Sequence, residues 1–254
     1  MTPPPVSSIS VVLPAWNEAE NIERTLTQCF HYLEQLQQTW GIDYEVIVVN
    51  DGSTDATPAI ATEIAKTAPC LHILHHPRNL GYGAALRTGF DHASKEFIFL
   101  MDSDGQFDIQ DMDRLLEQVS SEQQIIIGYR YKRADPAIRS INARLYHWFI
   151  FWVLGLKFKD MDCAFKLFRR AYYRAVRPIK ANGALFSAEF LFKLTQAGFP
   201  IVEVPVRHFP RRFGQQSGAK LSVILKMFWE CWQMKRELTK GETTAYRLPD
   251  ILQS

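Results

Sequence analysis

Glu96-Phe97-Ile98-Phe99-Leu100-Met101-Asp102-Ser103-Asp104-Gly105-Gln106 decides how this chain is read. The unbroken apolar run from Phe97 to Met101 has the character of a strand buried on both faces, as in parallel sheets. Two carboxylates, Asp102 and Asp104, follow it at once. Ligands of open parallel α/β sheets bind beyond the carboxyl ends of the strands. Carboxylates two residues apart at such an end can both point into one crevice. Hard oxygen donors of this kind suit Mg²⁺ or Mn²⁺, which bridges a diphosphate and neutralises a leaving group. A lone Asp-x-Asp is more often a solvated acidic turn. Emergence from a buried strand shifts the reading towards function.

Working outward, the same alternation recurs. Strand patterns fall at residues 9–13, 44–49, 70–74, 96–101 and 124–127. Helix patterns fall between them at 18–38, 54–68, 81–93 and 109–120. This order predicts a largely parallel sheet with right-handed crossovers. The ends of four strands carry polar or acidic residues: Pro14-Ala15-Trp16-Asn17-Glu18, Asn50-Asp51-Gly52-Ser53-Thr54-Asp55, His76-Pro77-Arg78-Asn79 and Asp102 to Gln106. Asp51 can accept hydrogen bonds from a nucleobase or ribose, or serve as a turn residue. Asp55 is read as a helix cap, a role open to Ser53 and Thr54 as well.

The second half is less regular. An aromatic helix is expected over 139–156, a strand over 164–168, a helix over 187–197 and a strand over 201–206 ending with Pro205. A last helix, 217–238, carries Leu221, Ile224, Leu225, Phe228 and Trp232 on one face, flanked by lysines and an arginine. With neither a repeat nor a long linker, one domain is expected at 9–238, between tails at 1–8 and 239–254. Its nucleotide-binding half would be 9–128 and its acceptor half 129–238.

Composition narrows the class. The 254 residues are 47% hydrophobic and 22% charged, with a formal net charge of +2. That balance fits a globular chain and gives no bulk attraction to nucleic acid. Basic residues gather after residue 128, which suits an anionic ligand on that side. Cys29, Cys70, Cys163 and Cys231 form no metal or disulfide pattern and fit a reducing, cytoplasmic setting. Residues 1–5 lack the features of a signal peptide. The apolar stretch 145–156 would be about 18 Å long as a helix, against a bilayer core of about 30 Å. It can lie at a cytoplasmic membrane face or be buried, but not cross.

Several rival sites fail. Asn79-Leu80-Gly81-Tyr82-Gly83-Ala84-Ala85-Leu86 looks like a phosphate loop, and Gly81 allows close backbone approach. However, Leu86 replaces the third glycine of the dinucleotide fingerprint, and the turn after the first strand lacks that fingerprint. Arg87 can reach a phosphate from there or lie on the surface. His75, His76, His147 and His208 make no metal site. No nucleophile elbow or Walker lysine occurs.

Read together, these segments resemble the family-2 glycosyltransferases of the GT-A fold, an α/β architecture with a Rossmann-like, mostly parallel sheet and an acceptor-side elaboration. Within that family they are similar to the dolichyl-phosphate mannose and glucose synthases. Besides the strand ends above, the matching residues are Gly128-Tyr129-Arg130, Asp160-Met161-Asp162-Cys163-Ala164-Phe165-Lys166-Leu167-Phe168 and Glu203-Val204-Pro205-Val206. The resemblance implies that Pro14, Ala15, Asn17, Glu18 and Asp51 line the nucleotide, with Gly81 and Ser103 nearby. It implies that Asp102, Asp104 and Gln106 hold the metal and diphosphate. It implies that Arg130, Arg139, Arg211, Arg212, Ser217 and Lys220 grip donor or lipid phosphates. Ala164 stands where the family usually has glycine. The stretch Gly214 to Lys220 is longer than the usual Gly-x-Ser-Lys, and no transmembrane helices follow the catalytic part.

The reaction expected is an inverting displacement that moves a hexose from a UDP- or GDP-linked sugar to a polyprenyl phosphate. A hydroxyl acceptor would need a base, for which Asp160, Asp162 and Glu189 are candidates. A metal-dependent nucleotidyltransferase and a non-catalytic nucleotide-sugar-binding protein are the other classes open at this point. The aromatic helix and the last helix can contact a membrane surface or close the core.

Overall fold

The computed structural model describes residues 3–122, 124–131, 148, 150–183 and 185–213. The strand that carries the opening segment, β4 (Phe97–Met101), lies near the middle of a seven-stranded sheet. The others are β1 (Ser8–Ala15), β2 (Asp43–Asn50), β3 (Leu71–His75), β5 (Ile125–Arg130), β6 (Phe165–Arg169) and β7 (Val202–Val206). Their order is β3-β2-β1-β4-β6-β5-β7. The first four strands run parallel, whereas β6 is antiparallel to both β4 and β5.

Alternation along β4 divides the core. Phe97, Phe99 and Met101 pack against α1 (Ile22–Trp40) and α4 (Met112–Leu116). Ile98 and Leu100 pack on the other face against α3 (Tyr82–His92), α5 (Arg170–Val176) and α6 (Leu185–Gln196). A strand covered on both sides must be apolar at every position, which is why the run reads as continuous.

Two prolines expected to end strands do not. β1 runs through Pro14 to Ala15, with Pro14 opposite Val49. Its pairing with β4 stops at Val12. The Pro14 carbonyl faces that vacated side, where the Ser103 hydroxyl donates to it at 2.7 Å. The missing N–H of Pro14 therefore interrupts no ladder. Pro205 lies within β7, an edge strand, where proline is tolerated.

Other differences are local. α2 spans Thr57–Ala65, shorter than expected, because residues 51–56 form an ordered loop. Neither Ser53 nor Thr54 caps it; the Asp55 carboxylate accepts from the Thr57 N–H at 3.0 Å. The expected helix at 109–120 reduces to a 3₁₀ turn, Ile109–Asp111, and the short α4. α5 was not expected. Of the aromatic helix at 139–156, residues 150–154 are helical. The last helix and Arg139, Ser217 and Lys220 lie outside the described residues. Among the described residues the cysteines are free.

Candidate active site

The sheet order reverses direction between β1 and β4, and their carboxyl ends form the crevice where such sheets bind ligands. The two ends are stapled together beneath it. Ser103 is buried; its hydroxyl holds the Pro14 carbonyl, and its own carbonyl accepts from Thr25 Oγ1 at 3.2 Å. Ser103, expected near the substrate, thus also serves the scaffold. It fixes Asp102 and Asp104 on either side of itself.

These two carboxylates perturb each other. Burial first, and then the charge of Asp104, push the Asp102 pKa up to about 7. Tyr82, the first residue of α3, donates its hydroxyl to Asp102 Oδ1 at 3.1 Å. Burial and the same carboxylate raise the Tyr82 pKa, so the phenol remains a donor. Like charges held close in a partly dry site are relieved by a divalent cation. Mg²⁺ or Mn²⁺ fits this all-oxygen donor pair. No third His, Cys, Asp or Glu joins the pair as a metal cluster among the described residues. Gln106, expected beside the pair at the metal, is buried and anchored: its side-chain Nε2 donates to the Phe209 carbonyl at 3.0 Å, and its backbone carbonyl accepts from the Phe209 N–H at 2.8 Å. It ties the segment after β7 to the acidic loop.

That segment brings Arg211 into the crevice. Its Nη2 lies 2.6 Å from Glu18 Oε1 and its Nη1 lies 3.5 Å from Asp104 Oδ2. Arg212 turns elsewhere, lining a shallow cavity of about 300 Å³ with Arg24, Gln28, Phe107 and Phe209.

The loops after β1 and β2 hold one another. Asn17 adopts φ 55°, accepts from the Thr54 N–H at 2.9 Å and donates its own N–H to Ser53 Oγ at 3.0 Å. Asp51 receives the Leu80 and Gly81 N–H groups at 2.9 Å each and pairs with His76 Nδ1 at 2.7 Å. The Asp51 N–H donates to the Ala15 carbonyl at 2.9 Å. Asn17 and Asp51, read as nucleotide ligands, are thus loop-to-loop ties here. Gly81 has φ 98°, and a Cβ there would stand 2.5 Å from the Asn182 carbonyl, so the position excludes side chains.

These observations describe a crevice at a switch point, an acidic pair poised for a cation, and an arginine reaching it from across the fold. The model of "Glycosyl transferase family 2" matches residues 10–177. The chain belongs to this family. It is a glycosyltransferase of the GT-A fold. It is 33% identical over 209 residues to Glycosyltransferase AglD of Haloferax volcanii, covering 80% of this chain and 33% of that protein. It is 32% identical over 251 residues to the dolichyl-phosphate beta-glucosyltransferase of Drosophila melanogaster, covering 92% of this chain and 74% of that protein. The chain thus spans a third of the archaeal protein and about three quarters of the insect one. In fold it is similar to Mycobacterium tuberculosis glucosyl-3-phosphoglycerate synthase crystallised with Mn²⁺, UDP and glucosyl-3-phosphoglycerate. That likeness has a TM-score of 0.65 at 21% identity, over 90% of this chain and 80% of that one.

Elsewhere in this glycosyltransferase, several expected ligands are engaged internally. Arg130, at the end of β5, forks onto Asp160, with Nε 2.6 Å from Oδ2 and Nη2 2.8 Å from Oδ1. Despite the opposing effect of burial, that carboxylate raises the guanidinium pKa further. Glu189 accepts from the Lys180 and Ala181 N–H groups and pairs with Lys193 at 2.8 Å. Arg87 does not reach the crevice. It donates to the Ile179 and Ala181 carbonyls at 3.1 and 2.6 Å and to the Asn182 side chain.

Two contributors escaped the sequence reading. Tyr82 stood within a quoted motif, with no signal that its hydroxyl would meet Asp102. Lys166 carried a signal, because a lysine between Phe165 and Leu167 in a buried strand must find partners. Its ammonium donates to the Met161 carbonyl at 2.9 Å and to the Cys163 carbonyl. It props the turn that presents Asp160. Burial lowers its pKa, a shift the nearby acidic groups oppose.

Proposed function

We propose that the enzyme moves a hexose from a UDP- or GDP-linked sugar to a polyprenyl phosphate, with inversion at the anomeric carbon. The observation that carries the acceptor class is the state of the acceptor-side carboxylates. A hydroxyl acceptor requires a base positioned to take its proton. Of the three candidate bases, Asp160 is held bidentately by Arg130 and Glu189 by two backbone amides and Lys193, so a hydroxyl acceptor would leave that task to Asp162. A phosphate acceptor is anionic near neutral pH and needs no base. Its oxygen forms the new bond to the anomeric carbon as the bond to the diphosphate breaks. The departing electron pair stays on the diphosphate, and no proton moves. The acceptors named for the insect relative support this class.

Asp102 and Asp104 would hold Mg²⁺ or Mn²⁺, which supplies charge stabilisation for the leaving diphosphate. The nucleoside would lie over the β1 and β2 loops, framed by Pro14, Ala15, Asn17 and Asp51 as shape and backbone rather than as free side chains. Arg211 is placed to meet the diphosphate. Arg139, Arg212, Ser217 and Lys220 are assigned to the donor or acceptor phosphates by resemblance.

An exposed aromatic patch supports contact with a membrane surface, where such an acceptor resides. Trp148 and Trp152 are 63% and 66% exposed, with Phe151 beside them and Lys157 Nζ 5.3 Å from the Phe151 ring. Aromatic rings flanked by lysine suit the interface of anionic lipid. No described helix is long and apolar enough to cross a membrane.

The test is a transfer assay with Mn²⁺, a panel of UDP- and GDP-hexoses, and polyprenyl phosphate or polyprenol. Transfer to the phosphate with release of nucleoside diphosphate is expected. Transfer to the alcohol alone would overturn the acceptor, and release of pyrophosphate would overturn the reaction. In liposome sedimentation, the Trp148→Ala/Trp152→Ala protein should lose most binding to anionic vesicles at low salt. Unchanged binding would remove this patch as the contact.

A further inference from the structure

Glu18 stands out among the polar groups of the crevice. It follows β1 directly, is buried, and was read as a nucleotide contact. Its two oxygens face elsewhere. Oε2 accepts from Asn21 Nδ2 at 2.8 Å, and Oε1 accepts from Arg211 Nη2 at 2.6 Å. Burial raises the Glu18 pKa, while Asn21 and Arg211 oppose that rise.

The three legs of the Arg211 guanidinium are unequal. Nη2 to Glu18 is 2.6 Å and Nε to the Phe213 carbonyl is 2.7 Å, both short. Nη1 to Asp104 is 3.5 Å, at the outer limit of a hydrogen bond. Two legs therefore fix the plane of the guanidinium, and the third rests loosely on one of the two metal-type carboxylates. Planar, multidentate donation is what distinguishes arginine from lysine in recognising phosphates.

We propose that Glu18 is a positioning residue whose role is to orient Arg211, not to bind the nucleotide itself. A cation held by Asp104 would compete with the weak Nη1 leg, while the Glu18 and Phe213 legs would keep Nη1 directed towards a bound diphosphate. Glu18 thus links the end of β1 to the segment after β7 and prepares a phosphate donor before the donor sugar arrives. This inference rests on the nucleotide-diphosphate reading above and names a role inside it.

The test is a double-mutant cycle on nucleoside diphosphate binding. UDP and GDP are the probes, titrated with saturating Mn²⁺ into the unsubstituted protein, Glu18→Gln, Arg211→Met and the double variant. Gln preserves the shape of Glu18 and removes its charge. Arg211→Met should weaken binding about tenfold or more, the worth of one hydrogen bond to a charged group. Glu18→Gln should weaken it about three- to tenfold alone, and less than twofold when Arg211 is already Met. An equal loss in both backgrounds would mean that Glu18 touches the nucleotide and would overturn the proposal. Arg211→Lys, which keeps charge but loses the fork, should bind nearly as poorly as Arg211→Met. Binding like that of the unsubstituted protein would equally overturn it. If neither UDP nor GDP binds the unsubstituted protein, the donor reading fails and takes this inference with it. If binding is intact and the cycle is additive, only this inference fails.

Discussion

Asp102 and Asp160 are both aspartates at the mouth of one sheet, yet they face opposite electrostatic problems. Asp102 has Asp104 for a neighbour and one phenol for a donor, and its pKa is raised to about 7. Asp160 is buried in the fork of Arg130, with a further contact from the Arg130 N–H at 3.2 Å. The charges of Arg130 and Lys166 offset the rise at Asp102 only in part, whereas Asp160 is matched by a guanidinium in direct contact. Asp102 is left wanting a cation, whereas Asp160 is neutralised within the protein. Residue type alone does not separate a ligand from a strut; the inventory of partners does.

Removing each carboxylate should break this contrast in different observables. Asp104→Ala should leave the fold intact and lower kcat/KM by about 10³-fold or more, since metal stabilisation of a leaving group is worth several kcal/mol. Mn²⁺ binding followed by electron paramagnetic resonance should be lost with it. A variant that retained Mn²⁺ affinity would show that the cation lies elsewhere. Asp160→Ala should act first on stability, by about 3–5 kcal/mol, because it strands a buried guanidinium. Urea denaturation measures this. Replacing both partners, as Arg130→Met with Asp160→Leu, should recover much of the loss. Little change in the single variant would mean that Arg130 has another resting place.

The contrast also predicts a dependence on pH. The folded-state pKa of Asp102 is raised above its unfolded value of about 3.9. Its contribution to stability is therefore complete below about pH 4 and lost as pH rises through about 7. Metal-free protein should lose on the order of 2–4 kcal/mol over that window relative to Asp102→Asn, which cannot ionise. Adding Mn²⁺ should restore stability most at the alkaline end. Parallel pH profiles for the two proteins would mean that Asp102 is not perturbed.

The sequence made the donor side more legible than its partners. Continuous apolar runs located β2 and β4 because burial on both faces leaves no other choice of residue. The polar strand ends located the crevice because parallel topology puts ligands there. The direction of β6 was not readable, since Phe165 to Phe168 shows the same pattern in a parallel or antiparallel neighbour. Nor were the partners of the charged residues. Glu18 and Arg211 stand 193 positions apart, and no local rule relates such positions. Arg130, Arg87, Asp51 and Glu189 had the right chemistry for ligands, but each found its counter-charge or backbone partner through tertiary contact. Lys166 was the exception, because its burial was implied by the strand around it.

Tyr82 offers the finest test of the contrast, because among the described residues its hydroxyl is the side-chain donor that bonds to Asp102 directly. Its ring belongs to the start of α3, and Gly81 and Gly83 let residues 181–182 pack closely around that start. Tyr82→Phe would keep the ring and remove only the hydrogen bond, so it creates no cavity. Loss of a bond to an ionised group is worth about 1.5 kcal/mol, near the lower end of the usual range. The Tyr82 bond lowers the Asp102 pKa. Its removal should therefore raise that pKa further and carry the stability transition to higher pH. A cation occupying the pair competes with that phenol for the same oxygen, so Mn²⁺ affinity should respond weakly, by threefold or less. A large fall in Mn²⁺ affinity would show instead that the phenol holds Asp102 in its liganding orientation, making Tyr82 part of the cation site rather than a substitute for it.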